Sequence, residues 1–241
     1  MSRSLNLLRK SVIILAGITL LSSGTAALAQ AGPTTVNGIT TQTASASDAF
    51  PGLRGFLNMP QAERSQINVY YVLRVKHVDP ATVHISLTSE GKTIPLTLQS
   101  DGRISPLPTR DQLNGGATVS ISGPESASVA MKLHVYSTQP LARTYDAVGL
   151  AKGVKQGNAA MVKIAGALAL MLPKLDRVYF VGGGDAVCEL SNGQKVPLPR
   201  TTQKGEYPIG TSYFVPSEIS GALKINLSAQ PSQVHFDNTP K

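Results

Sequence analysis

The chain has 241 residues, enough for one large domain or two small ones. It carries 22 Lys and Arg against 14 Asp and Glu, a formal charge of +8, and its hydrophobic fraction of 41% excludes a wholly disordered chain. A single cysteine excludes an internal disulfide framework and a multi-cysteine zinc site. The 22 glycines and 16 prolines favour many short strands over long helices.

The first 29 residues have the layout of a signal peptide. Three basic residues are followed by an apolar run that ends at Leu21, and small residues precede a cleavage point after Ala29. The apolar run is shorter than the roughly 20 residues that a membrane-spanning helix needs, which favours a cleaved signal over a retained anchor. We therefore predict a periplasmic protein that begins at Gln30 and has no stable membrane span.

The predicted mature chain disperses its remaining positive charge. It contains no two adjacent basic residues, whereas nucleic-acid surfaces carry clustered Lys and Arg with aromatic platforms. We therefore expect no nucleic-acid partner. Residues 30–47 contain no charged side chain and are rich in Thr, Ala, Ser and Gly, which predicts a flexible leader.

Two stretches beyond the leader repeat one another. Residues 85–122 are similar to residues 188–228, with Ile94-Pro95-Leu96 aligned on Val196-Pro197-Leu198 and Ile85 aligned on Cys188. In both stretches apolar residues alternate with polar ones between Gly-containing turns, the signature of half-buried strands. The pattern indicates an internal duplication.

The duplication predicts the fold class and the domain boundaries. We expect a mainly β protein with two tandem Ig-like β-sandwich modules, at residues 48–143 and 173–241, joined by a helical segment at residues 144–172. The repeat leaves open whether the copies form two sandwiches or one.

The first module contains a predicted hairpin between residues 73 and 87. Pairing of Val75 with Ile85 buries the apolar face, and it places His77 and His84 on opposite faces, which argues against a metal pair. The connection carries Arg74, Lys76 and His77, and we interpret these three residues as a candidate interaction hairpin, since binding groups are often mounted on extended polar loops.

The helical segment has three glycines spaced four residues apart, Gly149, Gly153 and Gly157. Such a face permits close backbone approach, as in membrane helix pairs. Lysines at 152, 155 and 163 argue against a membrane span, so we predict a helix that lies tightly on a sheet.

The second module contains two features that resemble reactive sites. Gly182-Gly183-Gly184 follows a strand, as a phosphate loop would, but a further strand follows it, so we predict a hairpin turn. Cys188 lies at an inward position of an apolar strand, which predicts a buried thiol with low reactivity rather than a nucleophile. Pro95 and Pro197 interrupt strand-like runs and predict sheet edges or bulges.

The remaining titratable residues give no catalytic motif. His134 and His235 occupy equivalent positions of the two copies, which favours outward or hydrogen-bonded strand residues. The sequence has no G-x-S-x-G elbow, H-E-x-x-H helix or P-loop lysine. We predict no catalytic, metal or cofactor-binding residue and no cofactor.

The repeated module is similar to known accessory domains. Its Gly91-x-x-Ile-Pro-Leu, Asp101-Gly-x-Ile-x-Pro and Gly116-Ala-x-Val-x-Ile segments resemble carboxypeptidase-regulatory-type and bacterial Ig-like domains, and the chain resembles uncharacterised exported proteobacterial proteins with a duplicated module of this kind. The resemblance implies small sandwiches without their own activity.

Three function classes follow from these observations. We expect a non-enzymatic periplasmic or envelope interaction protein with an envelope or secreted protein as partner. The alternatives are a periplasmic chaperone or assembly factor, similar in size and architecture to pilus chaperones that act by strand addition, and a polysaccharide-active hydrolase.

Overall fold

The computed structural model describes residues 33–165 and 173–238, and the predicted signal peptide with its cleavage point lies outside them. The protein is mainly β, with antiparallel strands. The strands of the described residues are β1 (Thr34–Val36), β2 (Ile39–Ser45), β3 (Ile67–Lys76), β4 (His84–Ser89), β5 (Lys92–Leu98), β6 (Ile104–Ser105), β7 (Thr118–Pro124), β8 (Ser128–Ser137), β9 (Thr144–Asp146), β10 (Arg177–Val181), β11 (Ala186–Leu190), β12 (Lys195–Pro197), β13 (Ser212–Phe214), β14 (Ala222–Leu227) and β15 (Gln233–Asp237).

Helices are few and mostly short in the described part of the chain. They are α1 (Ala46–Ala49), α2 (Leu53–Asn58), α3 (Arg110–Asn114) and α4 (Ala147–Ala165), with 3-10 turns at Gln61–Arg64 and Pro80–Thr82. Across the described ranges, no helix has both the length and the apolar character needed to cross a membrane.

The chain divides into two compact units. The first contains residues 33–54 and 71–132, and the second contains residues 55–70 together with the described residues from 133 onward. Strands β3 and β8 each contribute residues to both units. This division differs from the expected boundaries, because residues 55–70 belong with the C-terminal half.

The first unit is built on a six-stranded sheet of order β1-β2-β7-β4-β5-β6. Its apolar residues alternate along β4 and β7, so that Ile85, Leu87, Val119 and Ile121 are all buried on one face. The segment that was expected to be a flexible leader supplies strands β1 and β2 of this sheet. That expectation fails because Ser and Thr, although common in linkers, also suit strands whose outer face meets water.

The second unit contains two sheets. One has the order β12-β11-β14-β9, and the other has the order β13-β10-β15-β8-β3. Helix α4 begins directly after β9, where the Asp146 carboxylate accepts hydrogen bonds of 3.0 Å from the backbone N–H groups of Val148 and Gly149. Its glycine face is buried: a Cβ atom at Gly153 would lie 2.4 Å from the Phe236 ring. The predicted helix on a sheet is confirmed for residues 147–165, and residues 166–172 lie outside the described residues.

Two predicted hairpins are absent. Strand β4 pairs with β5 and β7, not with the segment around Val75, so residues 77–83 connect β3 to a strand that it does not pair with. Likewise β10 and β11 lie in different sheets, so Gly182–Gly184 is a connection between sheets and not a hairpin turn. The alternation of polar and apolar residues predicts which face of a strand is buried, but it does not identify the neighbouring strand.

The strand register disagrees with the expected alignment of Ile85 on Cys188. Leu96 pairs with Ile85, whereas Leu198 donates its N–H to the carbonyl oxygen of Ala186. With Leu96 aligned on Leu198, the counterpart of Ile85 is therefore Ala186 and not Cys188. The prolines, in contrast, lie where they were expected. Among the described residues, β12 is an edge strand, and β5 pairs on its outer side only at Thr97 and Leu98.

Candidate functional site

Aromatic and imidazole rings form a row across the five-stranded sheet of the second unit. Strand register places Tyr213 opposite Tyr179, Tyr179 opposite His235, and His235 opposite Tyr136. The ring of Tyr70 on β3 extends the row, with its centroid 4.6 Å from that of Tyr136. Directly opposed residues of antiparallel strands lie on the same face, so one face of the sheet carries the entire row. We call these five residues the ring row.

A loop between β12 and β13 contacts the middle of the ring row. Tyr207 stacks on Tyr179 with ring centroids 4.0 Å apart, and its ring also meets His235 edge-on at 5.4 Å. Two hydrogen bonds close the loop on itself. The N–H of Gly210 donates to the carbonyl oxygen of Thr201 at 2.8 Å, and the hydroxyl of Thr201 donates to the carbonyl oxygen of Pro208 at 2.7 Å. The internal bonds hold Tyr207 in place over the sheet.

Polar contacts connect this loop to two strands. The Tyr207 hydroxyl donates to a carboxylate oxygen of Asp237 at 2.7 Å, and Nδ1 of His235 lies 3.4 Å from the same hydroxyl. The other ring nitrogen of His235 lies 2.6 Å from Oε1 of Gln233. On strand β8, Nε2 of His134 lies 3.3 Å from a carboxylate oxygen of the adjacent loop residue, Glu206.

Burial changes the acid-base behaviour of the two stacked tyrosines. Desolvation, with a smaller contribution from the Asp237 charge, raises the pKa of Tyr207 far above the usual tyrosine range. Desolvation also raises the pKa of Tyr179 to about 12, although the neighbouring Arg177 acts in the opposite direction. Both side chains are therefore neutral hydrogen-bonding groups at physiological pH, not proton acceptors.

The arrangement is filled by its own side chains. His134 and His235 are 8% and 5% exposed, and the rings of Tyr136 and His235 are 4.0 Å apart. Within the described ranges, no three His, Cys, Asp or Glu side chains are placed to hold a metal ion. The cluster can therefore fix the loop to the sheet through hydrogen bonds and ring contacts.

The residues of the predicted interaction hairpin lie in the first unit. Arg74 and Lys76 are exposed residues of β3, and His77 follows the strand with a φ of 70°. The structure brings these three together at one strand end, although the connection is not a hairpin. His84 is exposed on β4, a strand that does not pair with β3.

Cys188 is fully buried, as predicted, and lies opposite Val196 and Ile225 in the four-stranded sheet. Burial raises the pKa of its thiol. His134 and His235 were expected to be outward or hydrogen-bonded strand residues. Both are buried and have polar partners, Glu206 for His134 and Gln233 for His235. Sequence reasoning missed Glu206, Tyr207 and Asp237, because the first two lie in a Gly- and Pro-containing loop whose contacts come from strands distant in sequence.

No family model, curated protein or solved structure matches the chain.

Proposed function

We propose that this chain is a non-enzymatic, exported interaction protein of the bacterial envelope, built from a duplicated β module. The observation that carries the proposal is the filled cluster around Tyr207: its histidines and carboxylates contact one another and neighbouring rings. A catalytic centre needs titratable groups that face a space for the substrate. The cluster instead uses these groups to hold a loop on a sheet.

Matching strand orders support the duplication. The first unit contains the order β2-β7-β4-β5, and the second contains β9-β14-β11-β12. In each, the first of these strands leads into a helix whose N-terminal cap is the last strand residue, Ser45 in one unit and Asp146 in the other. The pairing of Val119 with Leu87 in the first unit corresponds to the pairing of Ile225 with Cys188 in the second. The shared strand order and the shared position of the cap support an origin of both halves from one module.

The edges at β5 and β12 disfavour strand addition, the mode of the chaperone alternative, at those two strands. Strand addition requires a row of free backbone N–H and C=O groups along an edge. Pro95 in β5 and Pro197 in β12 lack the N–H group, and lysines at positions 92 and 195 begin the same two strands. These edges have the features by which β proteins avoid pairing with another strand.

Partner capture in the envelope tests the interaction role. Crosslinking of the exported protein in intact cells, followed by identification of the crosslinked species, should return a defined envelope or secreted protein. A folded variant with Arg74→Ala, Lys76→Ala and His77→Ala should lose that species if the end of β3 is the contact. Loss of no partner would refute the assignment to these residues, and the absence of any crosslinked partner would refute the role.

The export part of the proposal has its own measurement. Cleavage after Ala29 predicts that the exported form begins at Gln30 and fractionates with the periplasm. N-terminal sequencing that returned Met1 or Ser2 would contradict it.

A further inference from the structure

The loop between β12 and β13 is fixed at its base and at its tip by different contacts. Across the base, the Nε–H group of Arg200 donates to the carbonyl oxygen of Gly210 at 2.7 Å. Near the tip, the side chains of Glu206 and Tyr207 contact residues of the five-stranded sheet. We call residues 202–207 the strap. The base bond does not involve the strap, so the strap can leave the sheet while the base of the loop stays closed.

Two buried histidines receive the strap. On β8, Nε2 of His134 lies 3.3 Å from a carboxylate oxygen of Glu206. On β15, Nδ1 of His235 lies 3.4 Å from the hydroxyl of Tyr207, which in turn donates to Asp237 at 2.7 Å. The centroids of the two imidazole rings are 5.6 Å apart. Each histidine is therefore linked to a carboxylate, directly in one case and through one hydroxyl group in the other.

The hydrogen bonds around His235 suit its charged form. Tyr207 has one hydroxyl hydrogen and donates it to Asp237, so its oxygen can only accept from Nδ1 of the ring. On the other side of the ring, Nε2 lies 2.6 Å from Oε1 of Gln233, which is also an acceptor. Neutral imidazole carries one N–H group, whereas imidazolium carries two. With this arrangement of acceptors, imidazolium is the form that supplies a hydrogen to both neighbours.

The charges around the two rings act in the same direction. Glu206 and Asp237 contribute two negative charges, and protonation of the two histidines contributes two positive ones. Arg177 lies opposite Asp237 in the register, but its Nε–H group donates to Asp176 at 2.8 Å. Tyrosines of β8, β10 and the strap also face the rings: Tyr136, Tyr179 and Tyr207. Protonation of the histidines thus cancels charge in the cluster.

Burial opposes this effect but does not outweigh it. His134 and His235 are 8% and 5% exposed, and burial alone disfavours a charged ring. Each ring, however, gains a charge-assisted contact, which is roughly twice as strong as a hydrogen bond between neutral groups. Lifting the strap would separate His134 from Glu206 and His235 from Tyr207. The closed strap therefore holds protons more tightly than the open strap does.

We propose that the strap is a pH-sensitive latch, which is held on the sheet while His134 and His235 are protonated and is released as the pH rises. Because the closed form binds more protons than the open form, its population falls with increasing pH. Unperturbed histidine loses its proton near pH 6.5, which places the change roughly between pH 5.5 and pH 8. The latch adds regulation to the fold and does not depend on the identity of any partner.

The mobility of a spin label on the strap tests the proposal. A nitroxide attached to a Gln203→Cys variant reports the fractions of mobile and immobile strap, because Gln203 is exposed within it. The same label on Ser217→Cys is the matched reference, an exposed position of the second unit outside the strap. Cys188 has no exposed surface and does not compete for the label. Spectra are recorded at about pH 5.5 and about pH 8.

We expect the ratio of mobile to immobile label on the strap to rise at least about fivefold between the two pH values, because a proton held one pKa unit more tightly shifts the equilibrium up to about tenfold. The label at position 217 should show no change. His134→Gln together with His235→Gln should abolish the response of the strap. His84→Gln is the matched control and should retain it, because His84 is exposed on β4 in the first unit.

Should the double histidine variant unfold, Glu206→Gln gives the same test from the strap side, since it removes the carboxylate that faces His134. That variant should lose at least half of the response. A strap whose mobility is independent of pH or falls as the pH rises, an equal change at position 217, or a full response in the folded variant would overturn the proposal. Crosslinking of an envelope partner is a separate measurement, so a strap without pH dependence would leave the proposed interaction role untouched.

Discussion

The hydroxyl group of Tyr207 donates a hydrogen bond of 2.7 Å to the carboxylate of Asp237, joining a loop to strand β15. Charge-assisted hydrogen bonds of this kind are stronger than those between neutral groups. Tyr207 is 6% exposed and its ring stacks on Tyr179, so the hydroxyl is held where only the protein can bond it. The contact explains how the loop between β12 and β13 stays ordered over the sheet.

Replacement of Tyr207 by Phe should lower the free energy of unfolding by about 1–3 kcal/mol, because it leaves the stacking but removes the bond to Asp237. Urea unfolding followed by circular dichroism measures the change. Tyr213→Phe is the matched control, since Tyr213 is half-exposed and contacts Arg177 through its ring face. A Tyr207 variant no less stable than the Tyr213 variant would show that the bond contributes nothing.

Ionisation of the buried tyrosines should destabilise the protein in alkaline solution. Burial raises the pKa of Tyr179 to about 12, whereas tyrosine in an unfolded chain ionises near pH 10. Above about pH 10 the unfolded state therefore binds fewer protons than the folded state, and stability falls as the pH rises. The tyrosinate absorbance should increase together with loss of the circular dichroism signal. Complete ionisation in a fully folded protein would contradict the burial of these side chains.

The glycine face of helix α4 gives a prediction whose sign opposes helix propensity. Gly→Ala inside a helix is normally stabilising by roughly 1 kcal/mol. Gly153→Ala should instead destabilise by about 1–3 kcal/mol, because its Cβ would lie 2.4 Å from the Phe236 ring. Gly205→Ala is the control, with no atom within 4 Å of the added Cβ. Thermal unfolding of the two variants measures the difference, and a Gly153 variant of unchanged or higher stability would show that the helix does not pack against Phe236.

In the segments where apolar and polar residues alternate, the sequence predicted the strands but not the neighbours with which they pair. Alternation along β4 identifies Ile85 and Leu87 as buried, and the structure agrees. The same alternation is satisfied whether Ile85 faces Val75 or Ile121, so it cannot distinguish a hairpin from a connection between sheets. The expected alignment of Cys188 on Ile85 differs from the strand register by two residues. An even difference keeps a residue on the same face of its strand, so the predicted burial of Cys188 is correct although the residue aligned with it is not.

The cluster around Tyr207 was only partly accessible to sequence reasoning. His134 and His235 were recognisable as strand residues, because each lies between apolar neighbours. Glu206 and Tyr207 come from a loop that reads as irregular, and their contacts to β8 and β15 depend on long-range packing. Contacts between residues distant in sequence leave no local periodicity from which to predict them.

The single cysteine offers a direct measurement of burial. Cys188 has no exposed surface, and burial raises the pKa of its thiol, so the native protein offers neither access nor thiolate to a reagent. Labelling by a thiol-specific reagent at neutral pH should be at least about a hundredfold slower in the native protein than in concentrated urea, because it requires an opening of the sheet. A Ser217→Cys variant supplies an exposed thiol in the same molecule and should label in two phases, one fast and one slow. Rapid stoichiometric labelling of the native wild type would show that Cys188 does not lie between Val196 and Ile225, and it would remove the register on which the strand order of the second unit depends.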